Sequence, residues 1–175
     1  MGRFLRHRSG RAESYSQDIN RGEVKMANSY INCLVHVVFS TKGRRRELSP
    51  QVRDRLWPYL GGLARERGLK ALCVGGTEDH VHLLLSFPST ISIADAMKEL
   101  KAHSSRWIKE TFPEMNGFSW QEGYGAFTVG ASQKKKTLEY ISGQEEHHKK
   151  RTFKEEFIAF LQKNDIDYDE RYLWG

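Results

Sequence analysis

The 175-residue chain has few cysteines and no long apolar run. Its two cysteines, Cys33 and Cys73, lie inside apolar stretches, which predicts buried, reduced thiols and excludes a disulfide-stapled domain. No apolar segment approaches the roughly 20 residues that a membrane-spanning helix needs, so a membrane protein is not expected. The N-terminal arginines are not followed by an apolar stretch, so we expect no secretory signal and a cytoplasmic location. This length suits one globular domain.

Positive charge is in modest excess. The chain has 28 Lys and Arg against 22 Asp and Glu, a net charge of +6, which permits a polyanionic partner without establishing one. Residues 1–25 are rich in arginine and serine and show no hydrophobic period, so we expect disorder there. This extension is either a true basic arm or the product of a start codon placed upstream of Met26. The domain is therefore expected at 26–175.

Hydrophobic periodicity predicts the element order βαββαβ followed by two helices. Strands are predicted at 30–39, 69–75, 80–87 and 120–129, and helices after the N-caps Ser49 and Ser92, at 133–150, and after a capping box at Thr152. The fold class is therefore α+β. A ferredoxin-like (RRM-like) antiparallel sheet, with helices on one face and two C-terminal helices, fits this order best.

Two histidines, His80 and His82, flank Val81 in the third predicted strand. Residues i and i+2 of a strand point to the same face, so the imidazoles form a two-point site for a divalent metal or are an ordinary histidine pair. Tyr140 and Gln144 are four residues apart in a predicted helix and share its face. Gln144 offers a carbonyl oxygen, a hard ligand suited to Mg²⁺ or Mn²⁺, unless it faces solvent while Tyr140 packs on the sheet.

The combination of these motifs resembles the single-tyrosine HUH (His–hydrophobic–His) transposases of the insertion-sequence 200/605 type. The resemblance runs from Tyr30 to Trp174. It is carried, in order, by Val35-His-Val-Val-Phe-Ser-Thr-Lys42, Asp79-His-Val-His-Leu-Leu-Leu85, Trp120-Gln-Glu-Gly-Tyr-Gly-Ala-Phe127, Tyr140-Ile-Ser-Gly-Gln144, Phe153-Lys-Glu-Glu-Phe157 and Tyr168-Asp-Glu-Arg-Tyr172.

This resemblance implies a chemistry for each motif. Tyr140 would attack a phosphodiester of single-stranded DNA and form a covalent 5′-phosphotyrosine, releasing a 3′-hydroxyl. His80, His82 and Gln144 would hold a divalent metal, Mg²⁺ or Mn²⁺. The partner would be single-stranded DNA from hairpin-containing element ends, bound at the nucleoid.

The resemblance also implies a homodimer, in which the tyrosine helix can serve the histidine pair of the other subunit. Two alternatives stay open. One is a chromosomal relative that acts on repeated palindromes with the same chemistry. The other is a module that binds single-stranded nucleic acid without cutting it.

Basic clusters flank the predicted site, and they are either solvated faces or contacts to DNA phosphates. The candidate DNA-binding residues are Lys42, Arg44, Arg45, Arg46, Lys134, Lys135, Lys136, His147, His148, Lys149 and Arg151. His147 and His148 are expected in contact with DNA or solvent. His36, in the first strand, is expected in the core or behind the site.

Overall fold

The sheet has four antiparallel strands in the order β2-β3-β1-β4. The computed structural model describes residues 30–148 and 152–174, apart from the side chains of His147 and Tyr172. The predictions for residues 1–25, for Lys149 and for Arg151 therefore lie outside the described residues. The strands and helices are β1 (Leu34–Ser40), α1 (Pro50–Glu66), β2 (Lys70–Gly76), β3 (His80–Ser86), α2 (Ile93–Thr111), β4 (Gly125–Thr128), α3 (Lys134–Ser142), α4 (Gln144–His148), α5 (Phe153–Lys163) and α6 (Glu170–Leu173). This order confirms the predicted fold class.

Three helices begin where their capping residues predict. The Ser49 hydroxyl accepts from the amide of Val52 at the start of α1, and Ser92 does the same for Asp95 in α2. At α5, Thr152 and Glu155 satisfy each other's backbone amides in a capping box. These side chains replace hydrogen bonds that the first turn of a helix lacks, so they fix where each helix starts and which face it turns to the sheet.

Both faces of the sheet are covered. The apolar side chains of one face, including Val37 and Leu83, pack with α1 and α2 in the main core. The neighbouring positions of the other face pack under the C-terminal helices, Val38 against α5 and Leu84 against α3. Since successive side chains of a strand alternate between faces, the central strands are buried on both sides and read as nearly continuous apolar runs. His80 and His82 lie on the face that α3 and α5 cover.

The fourth strand is shorter than predicted. It begins at Gly125 rather than at Trp120, because Gly123 has a positive φ of 76° that turns the chain before it. Trp120 forms only an isolated bridge to Thr41, and its indole donates to Ser104 in the main core. The apolar character that suggested a strand therefore reflects core packing at this position.

The predicted helix at 133–150 is two helices. The first, α3, ends at Ser142, and the backbone amide of Gly143 donates to the carbonyl oxygen of Glu139. The second, α4, begins at Gln144. A second correction concerns Cys33, which is exposed because it precedes Leu34, the first residue of β1 paired with β3. Cys73 is half-buried, so neither thiol is fully enclosed as the sequence predicted.

Gly75 sets how closely α3 approaches the sheet. A Cβ at this position would overlap the carbonyl oxygen of Ile141 and lie 3.0 Å from its Cγ2. We expect Gly75→Ala to push α3 outward and to lower the free energy of unfolding by about 1–3 kcal/mol in urea titrations. Gly62→Ala in α1, where a Cβ would meet only a guanidinium nitrogen of Arg65 at 3.9 Å, should be neutral or stabilising. Equal stability of the Gly75 variant and the wild type would contradict this account.

Candidate active site

His80 and His82 present the same ring nitrogen to one buried space. Both are fully buried on β3, and their ring centroids lie 5.0 Å apart. The Nδ1 of His80 lies 2.7 Å from a carboxylate oxygen of Asp79, and the Nδ1 of His82 lies 2.9 Å from the Nε2 of His36. With both Nδ1 atoms engaged, the two Nε2 atoms are the ones turned toward the space under α3 and α5. A partner on the second ring nitrogen is the usual arrangement behind a metal-binding histidine.

The two groups that hydrogen-bond to the histidine pair, His36 and Asp79, have shifted pKa values. Burial lowers the pKa of His36 to about 4, so its imidazole is neutral near pH 7. Burial acts to raise the pKa of Asp79, but the hydrogen bond and the charge of His80 outweigh it, and that pKa lies below its usual value. Asp79 is therefore a carboxylate that accepts from His80, which leaves the His80 Nε2 lone pair for a ligand role.

Gln144 and Tyr140 meet the histidine pair within the same chain. The Oε1 atom of Gln144 lies 3.3 Å from the His80 Nε2, and the Gln144 side chain is buried. The Tyr140 ring stands edge-on to the His82 ring with centroids 5.7 Å apart, and it also contacts His36. The break at Gly143 does not separate the two residues. The side-chain amide of Gln144 donates to the backbone carbonyl oxygen of Tyr140 at 3.4 Å.

Two residues of this site were not found from the sequence as parts of it. Glu156, on α5, is buried and its Oε1 accepts from the Gln144 amide at 3.3 Å. The His148 Nε2 lies 2.9 Å from Glu156 Oε2, inside the site rather than in solvent. Burial and then the charge of Asp79 raise the pKa of Glu156 to about 8. The sequence does contain one indication of the role of Glu156. The capping box at Thr152 sets where α5 begins, and the helical period then places Glu156 on the same face as apolar residues.

Four of these side chains form a cluster able to hold a metal ion. One donor atom each from His80, His82, His148 and Glu156 lies within 4.8 Å of the others. Imidazole nitrogens bind divalent transition metals, and the carboxylate oxygen of Glu156 and the amide oxygen of Gln144 are harder donors that suit Mg²⁺ and Mn²⁺. The donors present therefore fit a divalent cation.

Two clefts reach the cluster from outside. One, of about 600 Å³, is lined by Arg44, Arg46 and Arg53 together with Asp79 and His148. Two of the predicted DNA-binding arginines therefore lie beside the site. The second, of about 800 Å³, is lined by residues that include His36, Lys136, Tyr140, Glu156 and Lys163.

The remaining described basic candidates lie on the surface. Lys42, Lys134 and Lys135 are exposed. Arg45 is also exposed and lies 3.2 Å from Glu47 in an ion pair. The structure thus brings three predicted basic residues to the clefts, Arg44, Arg46 and Lys136, and leaves these four outside them.

Comparison with known proteins identifies the family of this constellation. A sequence model of the family described as "Transposase IS200 like" matches residues 29–144, more than half of the chain. The chain belongs to the IS200-like transposase family. The match includes the whole sheet, α1 to α3, and the residues His80, His82, Tyr140 and Gln144. It ends before α5, so Glu156 lies beyond it.

Relatives from two organisms support the assignment. The ISDra2 transposase TnpA of Deinococcus radiodurans is 30% identical over 128 residues, 70% of this chain and 91% of that protein. The transposase for insertion sequence element IS200 of Salmonella typhimurium is 31% identical over 132 residues, 73% of this chain and 86% of that protein.

Two solved structures share the fold. A Deinococcus radiodurans protein assigned as a transposase superposes with a TM-score of 0.56 at 29% identity, over 69% of this chain and 97% of that one. The REP-associated tyrosine transposase bound to a REP hairpin superposes with a TM-score of 0.50 at 14% identity, over 69% and 72% of the two chains. Within the described residues, no helix has the length and apolarity to cross a membrane.

Proposed function

We propose that this transposase cleaves and rejoins single-stranded DNA through a covalent 5′-phosphotyrosine intermediate on Tyr140. The observation that supports this most is the convergence of Tyr140, His80, His82 and Gln144 in one chain. A module that only binds nucleic acid needs a basic surface and stacking groups, but not a tyrosine beside a buried histidine pair. The proposal therefore favours the cutting enzyme over the non-cutting module.

A divalent cation, Mg²⁺ or Mn²⁺, is the proposed cofactor, held by His80, His82 and Gln144. When bound, such an ion polarises the scissile phosphate and stabilises negative charge in the transition state. Asp79 and His36 keep the two histidines in the orientation and tautomer that turn their Nε2 atoms toward the site. The pKa of His36, about 4, keeps its imidazole neutral, so its Nε2 can accept a hydrogen bond from the His82 Nδ1.

Tyr140 supplies the nucleophile. Its phenol oxygen forms a bond to phosphorus while the bond from phosphorus to the 3′ oxygen breaks, and that oxygen leaves as a hydroxyl with a proton. Ionising a free phenol, with a pKa near 10, at pH 7 costs roughly 4 kcal/mol, which an ion-polarised phosphate helps to offset. The phosphotyrosine conserves the phosphodiester bond energy, so a later 3′-hydroxyl reseals the strand without a nucleotide cofactor.

The proposed substrate is single-stranded DNA with a hairpin, at the ends of the mobile element and within the cytoplasm. A tyrosine transposase with this fold has been solved bound to a REP hairpin, and the arginine cleft beside the site would supply phosphate contacts in this chain. A chromosomal relative acting on repeated palindromes would use the same residues. The proposed homodimer is tested by light scattering of the full chain.

The experiment that tests this function is adduct formation. The full chain is incubated with labelled single strands from the gene's own flanks, with Mn²⁺ or with EDTA, and resolved on a denaturing gel. We expect a protein–DNA adduct in Mn²⁺, none in EDTA, and none with the duplex form. Tight binding without an adduct on any flanking single strand would favour the non-cutting module.

The arginine cleft is expected to contribute to affinity. Arg46 lies 3.2 Å from Glu78, and the Arg44 guanidinium lies 5.4 Å from the Trp174 ring; a guanidinium has five N–H donors, so neither contact uses all of them. We expect the double variant Arg44→Ala with Arg46→Ala to weaken single-strand binding and to lower the slope of log affinity against log salt by about 1.4, or 0.7 per lost phosphate contact. Fluorescence anisotropy at several salt concentrations measures both.

The matched control removes two lysines from α2, on the other face of the sheet. Lys98→Ala with Lys109→Ala makes the same change in net charge at exposed positions. Its salt slope should equal that of the wild type. A slope lowered equally by both double variants would show that net charge, and not the cleft, determines the affinity.

A further inference from the structure

We propose that Glu156 is a ligand of the divalent cation held by His80 and His82, so that the C-terminal helix α5 completes the metal site. This inference rests on the cation of the proposed function. It goes beyond that function because the proposed ligand set there holds only His80, His82 and Gln144, and the match to the family model ends at residue 144, before α5. The ligands would then come from three elements: the strand β3, the first residue of α4, and α5.

The Glu156 carboxylate is placed among the other donors. Its Oε1 lies 3.8 Å from the His82 Nε2 and 3.3 Å from the Gln144 amide nitrogen, while the Gln144 Oε1 lies 3.3 Å from the His80 Nε2. Ligands of an octahedral Mg²⁺ or Mn²⁺ lie at about 2.1 Å, which places neighbouring ligand atoms about 3 Å apart. The two separations between candidate ligand atoms, 3.8 Å from Glu156 Oε1 to His82 Nε2 and 3.3 Å from Gln144 Oε1 to His80 Nε2, are close to that spacing.

The surroundings of Glu156 favour either a protonated carboxyl group or a carboxylate with a cation against it. Only 4% of its surface is exposed, and its helix carries Phe153 and Phe160, which pack on the rings of His80 and His36. A carboxylate in such a place is strongly destabilising as an anion unless a positive charge lies against it. No lysine or arginine nitrogen in the described part of the chain lies within ion-pair distance of Glu156.

His148 lies beside the Glu156 carboxylate. Its Nε2 lies 2.9 Å from Glu156 Oε2, the oxygen farther from Gln144, and this contact leaves Oε1 directed toward the histidine pair. The same imidazole is within reach of the cluster as a further donor. One carboxylate oxygen therefore faces His148, and the other faces His82 and Gln144.

The test measures metal affinity without DNA. Mn²⁺ binding to the full chain is followed by isothermal titration calorimetry and by electron paramagnetic resonance of the free ion, for the wild type, Glu156→Gln and His80→Ala. We expect Glu156→Gln to weaken Mn²⁺ binding at least 10-fold and His80→Ala to abolish it. The matched control Glu110→Gln, an exposed glutamate on α2, should bind as the wild type does.

A second readout separates ligation from folding. The visible spectrum of bound Co²⁺ depends on the ligand set, so it should change in Glu156→Gln and in Glu156→Asp, whose carboxylate is one methylene shorter. Wild-type affinity and an unchanged Co²⁺ spectrum in either folded variant would overturn the ligand assignment while leaving Mn²⁺-dependent adduct formation, and hence the proposed function, intact. A wild type that binds no Mn²⁺ yet forms the adduct in EDTA would overturn both the assignment and the metal requirement.

Discussion

Tyr140→Phe is expected to abolish the covalent protein–DNA adduct while single-strand affinity stays within about 2-fold of the wild type. The substitution removes one oxygen, and the ring can keep its edge contacts with His82, His36 and Phe160. Cleavage should fall by at least about 10³-fold, because no other group replaces a missing nucleophile. The adduct is measured on denaturing gels and the affinity by anisotropy.

The control for this prediction is a tyrosine on the other face of the sheet. Tyr59, in α1, stacks on Trp107, and Tyr59→Phe removes the same oxygen far from the histidine pair. It should form the adduct at the wild-type rate. A phosphotyrosine mapped by mass spectrometry to any residue other than Tyr140 would refute the assignment of the nucleophile.

His82→Ala is expected to have a comparable effect through the metal. Its imidazole is fully buried, with Nδ1 on His36 and Nε2 facing Glu156. Its loss should reduce both Mn²⁺ affinity and the cleavage rate by at least about 10²-fold, because a ligand that orients a catalytic ion contributes several kcal/mol to the transition state. Calorimetry gives the affinity, and gel assays over a range of Mn²⁺ concentrations give the rate.

The matched variant His103→Ala removes an imidazole from α2. His103 interacts with Glu99 and Arg67 at the surface of the helix layer, so its loss should change neither quantity. If His82→Ala cut DNA at the wild-type rate in saturating Mn²⁺, the histidine pair would be structural and not part of the reaction.

Much of the fold could be predicted because its signals are local. The caps Ser49, Ser92 and Thr152 act within one helical turn, and they mark three helix starts directly. The same-face placement of His80 and His82 follows from the two-residue period of a strand, so the structure shows the arrangement expected from the sequence.

Two of the errors arise from contact between segments distant in sequence, whereas the end of α3 at Gly143 is a local effect. Trp120 lies outside the strand, and its apolar side chain packs in the core near Ser104. Gly143 ends α3 although the charged stretch around it continues in sequence. Glu156 reaches the site because α5 packs across the face of the sheet opposite α1, and that packing has no local signature, while His148 reaches it from the end of α4.

Because both faces of the sheet are covered, the four tryptophans lie in two separate layers. Trp57, Trp107 and Trp120 all belong to the layer of α1 and α2, whereas Trp174 packs on Phe153 and Phe157 of α5. The four fluorophores thus report on two different layers. In a chain whose other three tryptophans are replaced by phenylalanine, emission from Trp174 would follow the environment of the C-terminal helix alone, including any change when DNA or a metal ion enters the site beneath it.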